Sequence, residues 1–239
     1  MSAFALAVPL LLALALAMPA AACGWGGEDD FDEDIPVVVV GPDGKPIANE
    51  QAGAVEPAGD PAAATRLGDR YRTGAGVPRD DAVAARWYRI AAESGYAPAE
   101  NDLGAMYEKG LGVPKDEAQA AKWYRRAAEQ GEKHAQHSLG VMLRDGRGVA
   151  RDPVAAAKWI RRAAEQGHLS AMDDLATMYW DGLGAPRDKV LAYAWWSIAA
   201  AHGDAAAAKR RDAAAKTMTA DEIAKAESFA RAWTPKKSG

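Results

Sequence analysis

Residues 120–131 read AAKWYRRAAEQG, and thirty-six positions later residues 156–167 read AAKWIRRAAEQG. No other feature constrains the chain as tightly, because a unit repeated at such a period is one supersecondary element that cannot bury its apolar face alone. Shifting the sequence by 36 aligns Leu67, Leu103, Leu139 and Leu175. The same shift aligns Gly74, Gly110, Gly146 and Gly182, then Trp87, Trp123, Trp159 and Trp195, then Gly95, Gly131, Gly167 and Gly203. Four units follow, and neighbours must stack to share a core.

Each unit holds two helical patterns. In the second unit Ala99, Leu103 and Tyr107 recur every four residues and share one helix face. Gly110 ends that helix, GLGVPKD carries the turn, Asp116 caps the next helix, and Gly131 stops it. In the third unit Asp152 precedes Pro153, which sits where no helical amide is needed. On the second helix Trp123 lies above Ala127 and Tyr124 above Ala128, large over small, as a packed helical core requires. The four tryptophans and the four turn glycines are therefore read as structural. The alanine-rich composition suits closely packed helices. The predicted fold is all-α, a right-handed α-solenoid of stacked helix-turn-helix units over residues 61–210. A helical cap over 211–234 is predicted to close it, opened by the capping-box spacing of Thr219 and Glu222, with a disordered tail over 235–239.

The segment LGAMYEKGLGVPKDEAQAAKWYRRAAEQG, residues 103–131, resembles a Sel1-like repeat, a relative of the tetratricopeptide repeat. Three positions depart from the pattern. Ala150 replaces the loop proline of Pro78, Pro114 and Pro186, Ile160 replaces the second aromatic, and Ala176 replaces the glycine after Leu175. The resemblance implies an adaptor for macromolecular complexes, with other proteins as partners, no catalytic residues and no cofactor. Some cysteine-rich relatives are linked to penicillin binding or β-lactamase-like activity, but this chain lacks their paired cysteines and shows no nucleophile and base.

The first sixty residues are of another kind. An apolar run from Ala3 to Ala22 ends in small residues, which reads as a signal peptide over 1–22 and predicts export to the periplasm or cell envelope. Cys23, the only cysteine, follows those residues as in the cleavage box of bacterial lipoproteins, so it is the lipidation candidate and a membrane anchor would follow. Residues 23–60 are predicted to be a disordered acidic tether. Residues 28–60 carry a net charge of −9, and the remainder from 61 onward carries +5.

Candidate binding residues fall in columns. Arg86, Lys122 and Lys158 form one basic column and Arg89, Arg125 and Arg161 another. They read either as a solvated face or as a surface for an anionic envelope component. The column Arg72, Glu108, Arg144 and Trp180 changes in every unit and is the candidate partner-binding surface. Trp180 serves there either as an interface anchor or as packing beneath the cap. His134 and His137, three apart, read as a solvated helix face, with a shared metal as the alternative. The G-x-G sequences follow helices and recur once per unit, so they are turns and not phosphate loops. Nucleic acid is excluded as a partner of an exported chain with so small a basic excess.

Overall fold

The structure, a computed structural model, describes residues 60–236. The predicted signal peptide, Cys23 and nearly all of the predicted tether lie outside the described residues, as do residues 237–239. Among the described residues there are ten helices and no strand. Four pairs form the units: α1 (Pro61–Thr73) with α2 (Asp81–Glu93), α3 (Ala97–Lys109) with α4 (Glu117–Glu129), α5 (Lys133–Asp145) with α6 (Pro153–Glu165), and α7 (Leu169–Asp181) with α8 (Lys189–Ala201). Then come α9 (Ala205–Ala215) and α10 (Ala220–Ala232).

The turn inside each unit is fixed by two residue types. The first helix stops at a left-handed glycine, as at Gly110 with φ of 70°, whose N–H reaches back to the Met106 carbonyl. The loop then closes through an aspartate. Asp80, Asp116, Asp152 and Asp188 each donate their backbone N–H to the carbonyl of Tyr71, Tyr107, Leu143 and Tyr179, at 2.8–2.9 Å. The same aspartate side chains accept from the first free amides of α2, α4, α6 and α8. One residue thus latches the loop and starts the next helix.

Inside each unit the closest approach is a small residue against a large one. Leu103, Leu139 and Leu175 are fully buried, and so are Ala91, Ala127, Ala163 and Ala199. A Cβ placed on Gly104 would lie 2.9 Å from the ring of Tyr124, so only glycine leaves room for that ring. Gly68 faces Tyr88 and Gly140 faces Ile160 in the same way. The centre of each unit is therefore the column Tyr88, Tyr124, Ile160 and Trp196, one residue beyond the expected tryptophans. Trp87 and Trp195 are buried, but Trp123 and Trp159 are only half-buried. A guanidinium from Arg126 or Arg162 lies 4.6 Å above each of those two rings. That arrangement places them at the edge of the core, where a cation can keep its hydration.

Stacking of successive units depends on the second glycine of each G-x-G. Gly112, Gly148 and Gly184 lie against the carbonyls of Asp81, Glu117 and Pro153 of the preceding unit, and a Cβ at any of them would overlap that backbone. The glycine spacing is thus a docking notch between units. At the far end α9 and α10 both pack on α8. Trp195 meets Phe229 and Trp233 with ring centroids 6.0 Å apart in each case. The Thr219–Glu222 capping box opens α10 with both reciprocal bonds present. The chain beyond α10 turns back toward α6. Pro235 lies against Gly167, and Lys236 bonds Glu165 through its backbone N–H to the carbonyl and its Nζ to the carboxylate, each at 2.8 Å.

Candidate interaction surfaces

The variable column on the first helices turns inward to the central column sixteen residues later. Arg72 donates through Nε to the Tyr88 hydroxyl at 3.0 Å, and that hydroxyl donates to Asp69 at 2.8 Å. Glu108 accepts from the Tyr124 hydroxyl at 2.8 Å and from Arg147 at 2.7 Å. Burial opposes ionisation of Glu108, but the bonds from Arg147 and Tyr124 outweigh it and hold the carboxyl below its usual range. Burial, with Glu108 adding to it, pushes the Tyr124 hydroxyl up, so it stays a donor. In the third unit the central residue is Ile160, which offers no polar atom. Arg144 turns instead to Asp145 and to Asp174 of the next unit, at 2.8 and 2.9 Å. In the fourth unit Trp180 packs on Trp196, with ring centroids 5.6 Å apart and tilted by 48°.

Between units runs a buried polar ladder that the sequence pattern did not single out. Glu100 is fully buried, pairs with Arg126 at 2.8 Å and accepts from Gln130 Nε2 at 2.7 Å. Burial raises its carboxyl above the usual range, with Arg126 and Gln130 pulling the other way. One unit on, Gln136 and Gln166 occupy the same two positions and bond at 2.8 Å. The histidines form the next contact. His168 lies 3.1 Å from His134 through ring nitrogens and stacks on His137 at 4.7 Å, while His137 meets Asp174 at 2.8 Å. The Nδ1 of His168 accepts the Ala171 N–H and caps α7. Burial, then the neighbouring His137 and His134, lower its pKa to about 4. Each of the three rings is held by at least one bond, to another ring, to a carboxylate or to backbone. Among the described residues no cluster of three or more His, Cys, Asp or Glu side chains forms a metal-sized set.

The two basic columns separate in three dimensions. Arg86, Lys122 and Lys158 are exposed and make no ion pair among the described residues. Arg89 and Arg161, by contrast, donate to the hydroxyls of Tyr107 and Tyr179 in the following unit, the first at 2.8 Å. Arg125 faces the position held by Leu143, which has no hydroxyl to offer, and is exposed. The first column is free surface, and most of the second staples units together.

The family model described as Sel1 repeat matches this chain four times, at residues 61–96, 97–132, 133–168 and 169–204. Each match coincides with one helix pair, and together they span more than half of the chain. Among solved structures, a Sel1 repeat protein from Oxalobacter formigenes is 38% identical with a TM-score of 0.59, covering 62% of this chain and 61% of that one. A protective antigen present in uropathogenic Escherichia coli strains, displaying an SLR fold, is 25% identical with a TM-score of 0.41, covering 72% of this chain and 60% of that one. The chain therefore spans about three fifths of the length of each. No curated protein matches it.

Proposed function

Because the chain belongs to the Sel1 repeat family, whose members generally mediate protein–protein interaction, we propose that it is a noncatalytic scaffold holding partner proteins together in the bacterial cell envelope. The observation that carries this reading is the array itself. Four stacked helix pairs are joined through their own variable and central columns, ionic in the second unit and aromatic in the fourth, so the remaining faces are left as surface for partners. The envelope part rests on the sequence alone, on the apolar run from Ala3 to Ala22 followed by Cys23. Crosslinking in intact cells, followed by capture and mass spectrometry, tests both parts when the full chain is compared with Cys23→Ser. A discrete set of captured proteins that depends on the array supports the scaffold. Loss of membrane fractionation in Cys23→Ser supports the anchor. Absence of any specific protein overturns the first, and unchanged fractionation overturns the second.

One observation favours a second reading. The column Arg86, Lys122 and Lys158 is exposed and unpaired, so it can meet an anionic lipid or polymer along the array. Reversing Lys122 and Lys158 to Glu then abolishes retention on anionic vesicles at low salt and leaves helicity unchanged. Equal retention of the reversed variant removes this reading.

A further inference from the structure

A groove opens where α7, α8 and α9 meet, lined by Thr177, Trp180, Trp196, Arg210, Ala213 and Ala214. We propose that it is a peptide-binding site for an extended acidic segment of a partner protein, a site that gives the scaffold reading a specific contact and rests on it. Its volume of about 310 Å³ suits one apolar side chain with its flanking peptide groups and is small for a cofactor. The tilted rings of Trp180 and Trp196 supply an aromatic wall, and the two alanines of α9 leave it open.

The chemistry of the occupant follows from what the groove leaves unbonded. Trp196 is 4% exposed, yet its indole N–H has no acceptor. A buried donor without a partner is costly, so the occupant must bring an acceptor oxygen. Asp173, one helical turn before Thr177 of the lining, gives one carboxylate oxygen to Arg210, and its other oxygen is buried and unpartnered. One unmet donor and one unmet acceptor are the complement of a peptide group, which carries both a carbonyl and an N–H. The charge of the segment is set by the cations that border the site. Arg187 and Lys189 lie 5.8 and 5.6 Å from the Trp180 ring centroid and are not ion-paired, and Arg210 stands at the edge. Asp173 is bonded to a lining residue and Glu222 lies within electrostatic reach of Lys189, so three cations stand against two acids and the positive balance selects carboxylates. No earlier unit repeats the site: Tyr88, Tyr124 and Ile160 stand where Trp196 does, the two hydroxyls already bonded and the isoleucine without a donor.

The test is a titration of the ¹⁵N-labelled full chain, with the Trp196 indole peak assigned by its loss in Trp196→Phe. The probe is the capped tripeptide Ac-Asp-Leu-Asp-NH2. The expected result is a saturable downfield shift of the Trp196 N–H peak, weakened about tenfold in Trp180→Ala and in the surface variant Arg210→Gln, with Ac-Lys-Leu-Lys-NH2 inert. A peak that stays unmoved up to about 10 mM acidic peptide, a range that covers what one short segment reaches, overturns the proposal. So does a peak shifted by soluble phosphatidylglycerol and not by peptide. The scaffold reading is tested separately by the crosslinking capture. Partners captured by a chain whose groove ignores the peptide remove the groove and leave the scaffold standing.

Discussion

The second and fourth units share a backbone and differ in what joins their two helices. In the second the join is a hydroxyl on a carboxylate, Tyr124 to Glu108, secured from the next unit by Arg147. In the fourth it is one indole against another, Trp180 on Trp196. The exchange is possible because both positions changed together. A tyrosine beside Trp180 would lose the carboxylate that Tyr124 has, and Trp196 keeps its own indole N–H unbonded within the array. The neighbouring small residue follows the same logic, Gly104 beneath Tyr124 and Ala176 in the fourth unit. A repeat therefore fixes the turn and the stacking notch, and leaves the lock to be ionic or aromatic.

The strongest way to break the comparison is to empty the aromatic lock. Trp196→Ala removes a ring buried at 4% exposure and should cost about 3–5 kcal/mol. At roughly 2–4 °C per kcal/mol, a thermal melt reads this as a drop of the order of 10 °C. Gly104→Ala comes next. Its methyl presses on the Tyr124 ring at a cost of about 1–3 kcal/mol, offset by up to about 1 kcal/mol of better helix propensity. The net loss of about 1–2 kcal/mol in a urea melt contrasts with Ala176→Gly, which loses about 1 kcal/mol through propensity and an unfilled methyl. Tyr124→Phe should cost about 1–1.5 kcal/mol at neutral pH, because Glu108 keeps Arg147 but loses the hydroxyl. A double-mutant cycle with Glu108→Gln should show coupling at that pair, and the ionic account fails if the two losses simply add.

Most of this architecture is legible in the sequence because it depends on residues with one physical role. Gly110 must be left-handed, Asp116 must cap, and Leu103 must be buried, so the period, the turns and the capping box of α10 can all be read directly. The interaction surface is harder to read. The column Arg72, Glu108, Arg144 and Trp180 looks like free surface because it varies, yet Arg72, Glu108 and Arg144 bond within the array, and Trp180 packs on Trp196 while lining the groove. A signal was present, since the column sixteen residues on varies in step, but periodicity alone does not say which of two adjacent helix positions rolls inward. The same one-residue ambiguity puts Trp123 and Trp159 at the rim and Tyr124 and Ile160 at the centre. The meeting of His134 with His168 depends on the pitch between units, which no local pattern encodes.

The smallest expected effect separates the two units by pH. Glu108 is held below its ordinary range, so the ionic lock contributes fully above the unfolded carboxylate value of about 4.3 and is lost as pH falls through the lower folded value. At the entrance to the fourth unit the loss runs in the same direction but begins at higher pH. The folded His168 takes a proton only near pH 4, whereas an unfolded histidine takes it near 6.5, so stability falls as pH drops from about 6.5 to about 4 and falls no further below. Lys133, His134 and His137 face the ring as like charges, and Asp174 opposes them. Protonation at Nδ1 also removes the acceptor for the Ala171 N–H. After discounting for partial solvent exposure, the effect is about 1 kcal/mol. His168→Asn keeps a capping oxygen and has nothing to titrate. Urea midpoints at pH 7.5, 5 and 3 should therefore show His168→Asn flattening the upper step alone and Glu108→Gln flattening the lower step alone. If the upper step survives in His168→Asn, its source lies elsewhere in the array.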